Sequence, residues 1–201
     1  MPPESEKLKG NRDLAKQATR EALILAGIEA FAEDGLDKPS LDAICARAGY
    51  TRGAFYVHFK DREDFQVAVM EHVVGALVTG LLGSGGQEVD LEQSIRTFAD
   101  AVSTGALPNP GAVRSYHFFD ACMRSEKLRK RFVLVLRDAM ERAAQAMKQG
   151  QRKDRFRRDL DAAHVATLLT ALVIGAETLS EMGVPFDVHG AADTLIRMLR
   201  G

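Results

Sequence analysis

At 201 residues the chain is long enough for one large or two small domains with a buried core, so size alone excludes little. Its 46% hydrophobic and 27% charged residues exclude a disordered, collagen-like or disulfide-scaffold protein. With 27 Lys and Arg against 28 Asp and Glu there is no global positive field, and any nucleic-acid surface must be local.

The opening run MPPESEKLKGNRDLAKQ is polar and lacks the apolar stretch of a signal peptide, which predicts a frayed leader over 1–16 and a cytoplasmic protein. No later apolar run is expected to span a bilayer, so no membrane partner is expected. From Gln17 to Asp34 the residues Leu23, Ile24, Ala26, Gly27, Ile28, Ala30 and Phe31 recur at three- and four-residue steps, predicting an amphipathic helix closed by Gly35. Ser40 then N-caps a short helix from Leu41 to Ala48, with Asp42 in its first turn and Gly49 at its end. Thr51 caps a second short helix, from Arg52 to about Val57. Asp61, followed by Asp64 three residues on, resembles a capping box and opens a long helix to Leu82, with Phe65, Val69, Val73 and Leu77 at four-residue spacing.

Gly83-Ser84-Gly85-Gly86 reads as a domain joint. Beyond it, helices are expected near 90–104, 111–123, 126–149, 161–182 and 188–199, broken by Pro108 and Pro110, Ser125, a polar 150–159 stretch, and Gly183 with Pro185. The expected fold class is all-α.

The stretch from Ser40 to Phe65 carries the functional signal. A helix, a tight turn at Gly49-Tyr50 and a second helix too short to be explained by packing form a helix-turn-helix pattern, whose second helix presents its first residues to the major groove of DNA. From Ala43 to Lys60 there is no Asp or Glu, while Arg47, Arg52 and Lys60 occur, so phosphates would be attracted here. Thr51, Arg52, Tyr56 and His58 add groups able to bond phosphates or base edges.

Ala48-Gly49, Thr51-Arg52-Gly53, Phe55-Tyr56 and His58-Phe59, together with REALILAGIEAFAEDG before them, resemble the DNA-binding domain of the TetR/AcrR family over roughly residues 17–77. The resemblance implies a DNA-binding transcription regulator: a leader over 1–16, a three-helix DNA-binding domain over 17–77, and a helical effector-binding and dimerisation domain over 78–201. It implies DNA contacts from Ser40, Thr51, Arg52, Gly53, Tyr56, His58, Lys60 and Arg62, with Phe55 and Phe59 as core. Two residues depart from the family's usual pattern, Gly27 where Ala is common and Arg62 where Lys is common.

In the C-terminal half, Tyr116, His117, Phe119, Cys122, Met123, Met140 and Met147 suggest either an adaptable ligand pocket or ordinary core packing. Glu177 stands in the otherwise apolar Thr167 to Leu179 run, as a ligand-facing acid or a paired interface residue. That run is apolar around nearly its whole circumference, so a homodimer through 161–182 and 188–199 is expected, with a palindromic double-stranded DNA operator. A small, largely apolar effector is expected to release the DNA; a ligand-independent regulator is the alternative. An enzyme is the remote one, since no nucleophile elbow, phosphate loop or metal-ligand pair is present and no catalytic residue stands out. Cys45 and Cys122 read as reduced, buried thiols, and no metal site or cofactor is expected. The basic runs Lys127 to Arg131 and Arg152 to Arg158 read as solvated faces.

Overall fold

The computed structural model describes residues 4–84, 88–106 and 113–200, and among these the chain forms nine α-helices and no strand. In chain order they are α1 (Glu4–Asp34), α2 (Leu41–Ala48), α3 (Arg52–His58), α4 (Arg62–Leu82), α5 (Leu91–Ser103), α6 (Ser115–Arg124), α7 (Glu126–Arg152), α8 (Ala162–Glu181) and α9 (Val188–Arg200). The caps explain most boundaries. Ser40, Thr51, Asp61, Asp90, Ser125 and Asp161 each accept a backbone N–H from the first turn of the helix they open. Gly49 ends α2 at φ 74°, a left-handed conformation that glycine adopts without strain.

Three expectations need correction. α1 begins at Glu4, inside the stretch expected to fray. Apolar spacing marks only the buried part of a helix, and the exposed residues 12–18 continue it through good helix formers such as Leu14, Ala15 and Lys16. α6 begins at Ser115, not at 111; its expected first residues, with Pro108, Pro110 and the Gly85-Gly86 part of the joint, lie outside the described residues. Finally, α4 and α8 are each long and apolar enough to cross a membrane by length and composition. Glu71 in α4 and Glu177 in α8 interrupt what are otherwise apolar runs.

The buried side chains form two clusters. The first joins Leu23, Phe31, Ile44, Phe55, Phe59, Phe65 and Met70 to Phe118, Ala121, Cys122 and Leu128, so it runs from α1 past residue 77 into α6 and α7. The second gathers Leu91, Ile95, Met147, Phe156, Val165, Ile196 and Leu199 from α5, α7, α8 and α9. α4 bridges them, packing on α1, α5 and α7.

At the centre of the first cluster the rings of Phe31, Phe55, Phe59 and Phe65 meet at centroid distances of 4.9–5.8 Å, mostly edge to face. Gly27 of α1 is the floor of this cluster. A Cβ there would overlap the Phe65 ring, lying 2.8 Å from Cε1, and Phe65 is fully buried with no room to retreat. The departure at position 27 is therefore a packing requirement of α4 on α1.

Gly27→Ala should lower the melting temperature, because overpacking costs about 1–3 kcal/mol while the helix-propensity gain of alanine returns only about 1 kcal/mol. Adding Phe65→Leu should relieve the overlap and recover part of the loss. Thermal unfolding followed by circular dichroism checks both; a G27A protein as stable as wild type would contradict the packing account.

Candidate DNA-reading surface and ligand cavity

α3 has seven residues, and its two faces divide cleanly. Phe55 is buried, while Arg52, Gly53, Tyr56 and Val57 are exposed. Thr51 and Ser40 are both N-caps, accepting from Ala54 N at 3.3 Å and Ala43 N at 3.1 Å. Arg52 donates to the Tyr56 hydroxyl at 3.3 Å and lies 3.5 Å from Asp42. Such exposed pairs are worth about 0–1 kcal/mol, so a phosphate can displace them. Lys60 is exposed, and its side chain has no ion-pair partner among the described residues. Arg47 is committed to α1, donating to both carboxylate oxygens of Glu33 at 3.0 and 2.6 Å.

Arg62 does not stand free on this surface. Its guanidinium donates to the carbonyls of Pro39 and Leu36, both at 2.6 Å, and of Asp37 at 3.2 Å. It lies 6.0 Å from the Phe31 ring centre. It clamps the α1–α2 loop onto α4, a role that the expectation of a phosphate contact did not include.

Two cations overlooked in the sequence lie on the reading side. Lys16 and Arg20 are close enough to His58 to lower its pKa, after burial, which is the larger cause. Arg20 also sits 5.4 Å from the Phe59 ring centre. Lys16 and Arg20 are one turn apart on α1, a spacing that marks a shared face once the helix is known to extend that far.

Behind this domain lies an apolar cavity of about 440 Å³. α4 supplies Val73, Val74, Leu77, Val78, Leu81 and Leu82; α5, α6, α7, α8 and α9 supply the other walls, with Phe119, Phe132 and Glu177 among the residues. Of the eight residues expected to line a pocket, Phe119 and Glu177 do. The other six do not, for reasons of helical phase. Ser115, Phe118, Phe119 and Cys122 share one side of α6, so Tyr116 and Met123 project outward, 47% and 79% exposed. His117 turns to Gly35 at the end of α1, and Cys122 belongs to the first core cluster. On α7 the cavity face is Phe132, Leu136, Ala139 and Ala143, which leaves Met140 outside the lining and Met147 buried in the second cluster. Burial raises the pKa of both Cys45 and Cys122.

The cavity and the reading domain are tied by polar contacts. Arg124 at the end of α6 lies 2.7 Å from Asp37, and the Ser125 hydroxyl donates to Glu63. Lys127 sits 3.6 Å from both Asp61 and Asp64, and Arg131 bonds Glu71. The 127–131 run thus faces the acids of α4. In the 152–158 run, Lys153 and Arg155 pair with Glu88 and Asp90.

A capped short helix laid across a bracing helix, with its outer face polar and basic, defines a helix-turn-helix domain. Residues 23–69 match the family model described as bacterial regulatory proteins, tetR family. The chain is 40% identical over 57 residues to the HTH-type transcriptional repressor BepR of Brucella suis biovar 1 (strain 1330), covering 28% of this chain and 25% of that one. Among solved structures it is similar to reduced NemR of E. coli, with TM-score 0.75, 20% identity and coverage of 90% and 97% of the two chains. It is also similar to SmeT in complex with triclosan, with TM-score 0.65, 27% identity and coverage of 90% of each chain. Residues 23–69 are therefore similar to the tetR family of bacterial regulatory proteins, and the chain as a whole shares the fold of these solved structures. The chain spans about a quarter of the length of the first curated relatives that it matches by sequence.

Lys60→Ala and Arg62→Ala should separate a phosphate contact from a clamp. Lys60→Ala is expected to leave the melting temperature unchanged and to reduce the slope of log K against log salt by about 0.9. Arg62→Ala should lower stability by roughly 1–3 kcal/mol, because three carbonyls lose a charged donor. Gel-shift titrations at several salt concentrations, with thermal unfolding, check the pair; the reverse pattern would contradict the assignment.

Proposed function

We propose that the protein is a DNA-binding transcription regulator, a repressor that leaves its operator when a small, largely apolar molecule fills the cavity. The carrying observation is that α4 does two things at once. Its first turns hold Phe65 under the recognition helix α3, and its last three turns form a wall of the cavity. A ligand that fits best when α4 shifts must change the placement of α3, so ligand and DNA oppose each other by linkage, with a coupling of about 1–3 kcal/mol. The name of BepR as a repressor, and the triclosan bound to SmeT, support the same reading.

DNA is contacted by Thr51, Arg52, Gly53, Tyr56, His58 and Lys60, with Ser40 shaping the N-terminus of α2 and Lys16 and Arg20 adding positive charge from α1. Residues 17–77 act as the reading unit and 78–201 as the effector-binding and dimerisation unit, in the cytoplasm. The dimer is built on α8 and α9. Leu168, Leu172 and Leu179 on α8, Met182 at its C-cap and Met198 on α9 are 40–72% exposed, a stripe too apolar for a surface left to water. Two-fold pairing would place two α3 helices about 34–36 Å apart on a palindromic operator.

Gel shift on the DNA upstream of the protein's own gene tests the first half. The triple variant Arg52→Ala, Tyr56→Ala, His58→Ala should lose most specific affinity, and binding equal to wild type would refute the surface. Light scattering tests the second: a dimer at micromolar concentration, shifted toward monomer by Leu168→Glu. A monomeric wild type would refute it.

A further inference from the structure

Among its described lining residues the cavity has one ionisable side chain, Glu177 of α8, and three other polar ones, Ser94, Ser115 and Thr170. The hydroxyls of Ser94 and Thr170 are spent on their surroundings, donating to the Leu81 and Asp90 carbonyls at 2.6 and 3.0 Å and to the Ala166 carbonyl at 2.9 Å. Glu177 is different. It is 8% exposed, its Oε2 accepts from the Ser115 hydroxyl at 2.7 Å, and its Oε1 is buried with no hydrogen-bond partner among the described residues. Burial pushes its pKa up, the Ser115 bond opposes that, and the charge of Glu181 adds to it. An acceptor left unpaired in an apolar wall is costly, so this oxygen is a ready site for a donor brought by a ligand.

The surroundings select the charge of that donor. Glu181, one turn on, accepts the Ser115 backbone N–H at 2.8 Å, so two carboxylates converge at this end of the cavity. No Lys, Arg or His is among the described lining residues. A carboxylic acid would meet like charge with nothing to neutralise it, whereas a cation meets complementary charge in a low-dielectric site. We propose that the cavity is built for an amphiphilic cation, an apolar molecule carrying a protonated amine whose N–H donates to Glu177 Oε1. This rests on the reading of the cavity as the effector site.

Glu177 also makes such binding consequential. Arg114, the N-cap of α6, makes no side-chain cap bond, and α8 substitutes for it, Glu181 taking the Ser115 N–H and Glu177 the Ser115 hydroxyl. An ammonium on Oε1 partly neutralises the same carboxylate, which weakens the bond that Oε2 accepts from Ser115 and loosens the start of α6. The same helix carries His117 against Gly35 and Arg124 against Asp37 in the reading domain.

The test is calorimetric titration of the full chain at neutral pH with n-decylamine, n-decanol and n-decanoate, repeated on Glu177→Gln. The amine should bind about tenfold or more tightly than the alcohol, since a charge-assisted bond replaces a neutral one. Decanoate should bind weakest. In Glu177→Gln the preference of amine over alcohol should fall to about one. If alcohol or decanoate binds wild type as tightly as the amine, or if Glu177→Gln keeps the preference, the assignment of Glu177 is overturned while the cavity still stands as an effector site. If none of the three binds, the cavity reading falls and this inference with it. Should Glu177→Gln not fold, as thermal unfolding would show, the ranking of the three ligands on wild type decides.

Discussion

The recognition helix cannot hold itself together. Seven residues are well short of the roughly 12–15 at which an isolated helix becomes even marginally stable in water, and α3 persists only because Phe55 and Phe59 are locked to Phe65 of α4 and, through it, to Phe31 of α1. The i, i+4 spacing of Phe55 and Phe59 anchors one side of the segment, and Arg52 and Tyr56, also i, i+4, are thereby turned to the other. The close seat of Phe65 on Gly27 sets how near α4 lies to α1. Orientation of the reading surface is thus a consequence of aromatic packing rather than of any polar contact on that surface.

Because Phe65 belongs to α4, the same packing transmits whatever happens farther along that helix. Val73 to Leu82 border the cavity, and the helix between the two ends is an uninterrupted rod. A second path runs through the corner of α6 and α7, where Arg124, Ser125, Lys127 and Arg131 meet Asp37, Glu63, Asp61, Asp64 and Glu71. Each exposed pair contributes little on its own. Their value is geometric, since they register α6 and α7 against the loop that Arg62 clamps and against the first turns of α4. The apolar stripe of α8 shares Leu172 and Leu179 with the cavity wall, so a dimer formed there would close against the cavity and give α4 a fixed body to move against.

Much of this was legible in the sequence where the physics is local. The bounds of α2 and α3 follow from Ser40, Gly49 and Thr51, and all-α architecture from helical spacing. The polar face of α3 follows from the period of its phenylalanines. What escaped was non-local. Arg62 reads as a surface cation until its guanidinium is seen to reach carbonyls 23–26 residues earlier in the chain. Lys16 joins Arg20 on the reading side only because α1 extends beyond the stretch that its apolar spacing marks. For the cavity, a cluster of methionines and aromatics in sequence was a poor guide, because neighbours in sequence point to opposite sides of a helix. Glu177 was marked by the one property that does not depend on phase, a charge in a run with no other.

The central claim is that occupancy of the cavity moves the recognition helices, and a distance measurement tests it without reference to any operator. Val57 is 63% exposed on α3, while Cys45 and Cys122 are buried with thiols of raised pKa, so spin labels can be directed to Val57→Cys. Pulsed electron resonance on the labelled dimer should give one inter-protomer distance distribution in free protein. Saturation with a cavity-filling apolar compound selected by thermal shift should move that distribution by several ångströms. An identical distribution with and without the compound, at a concentration that stabilises the protein, would contradict the account.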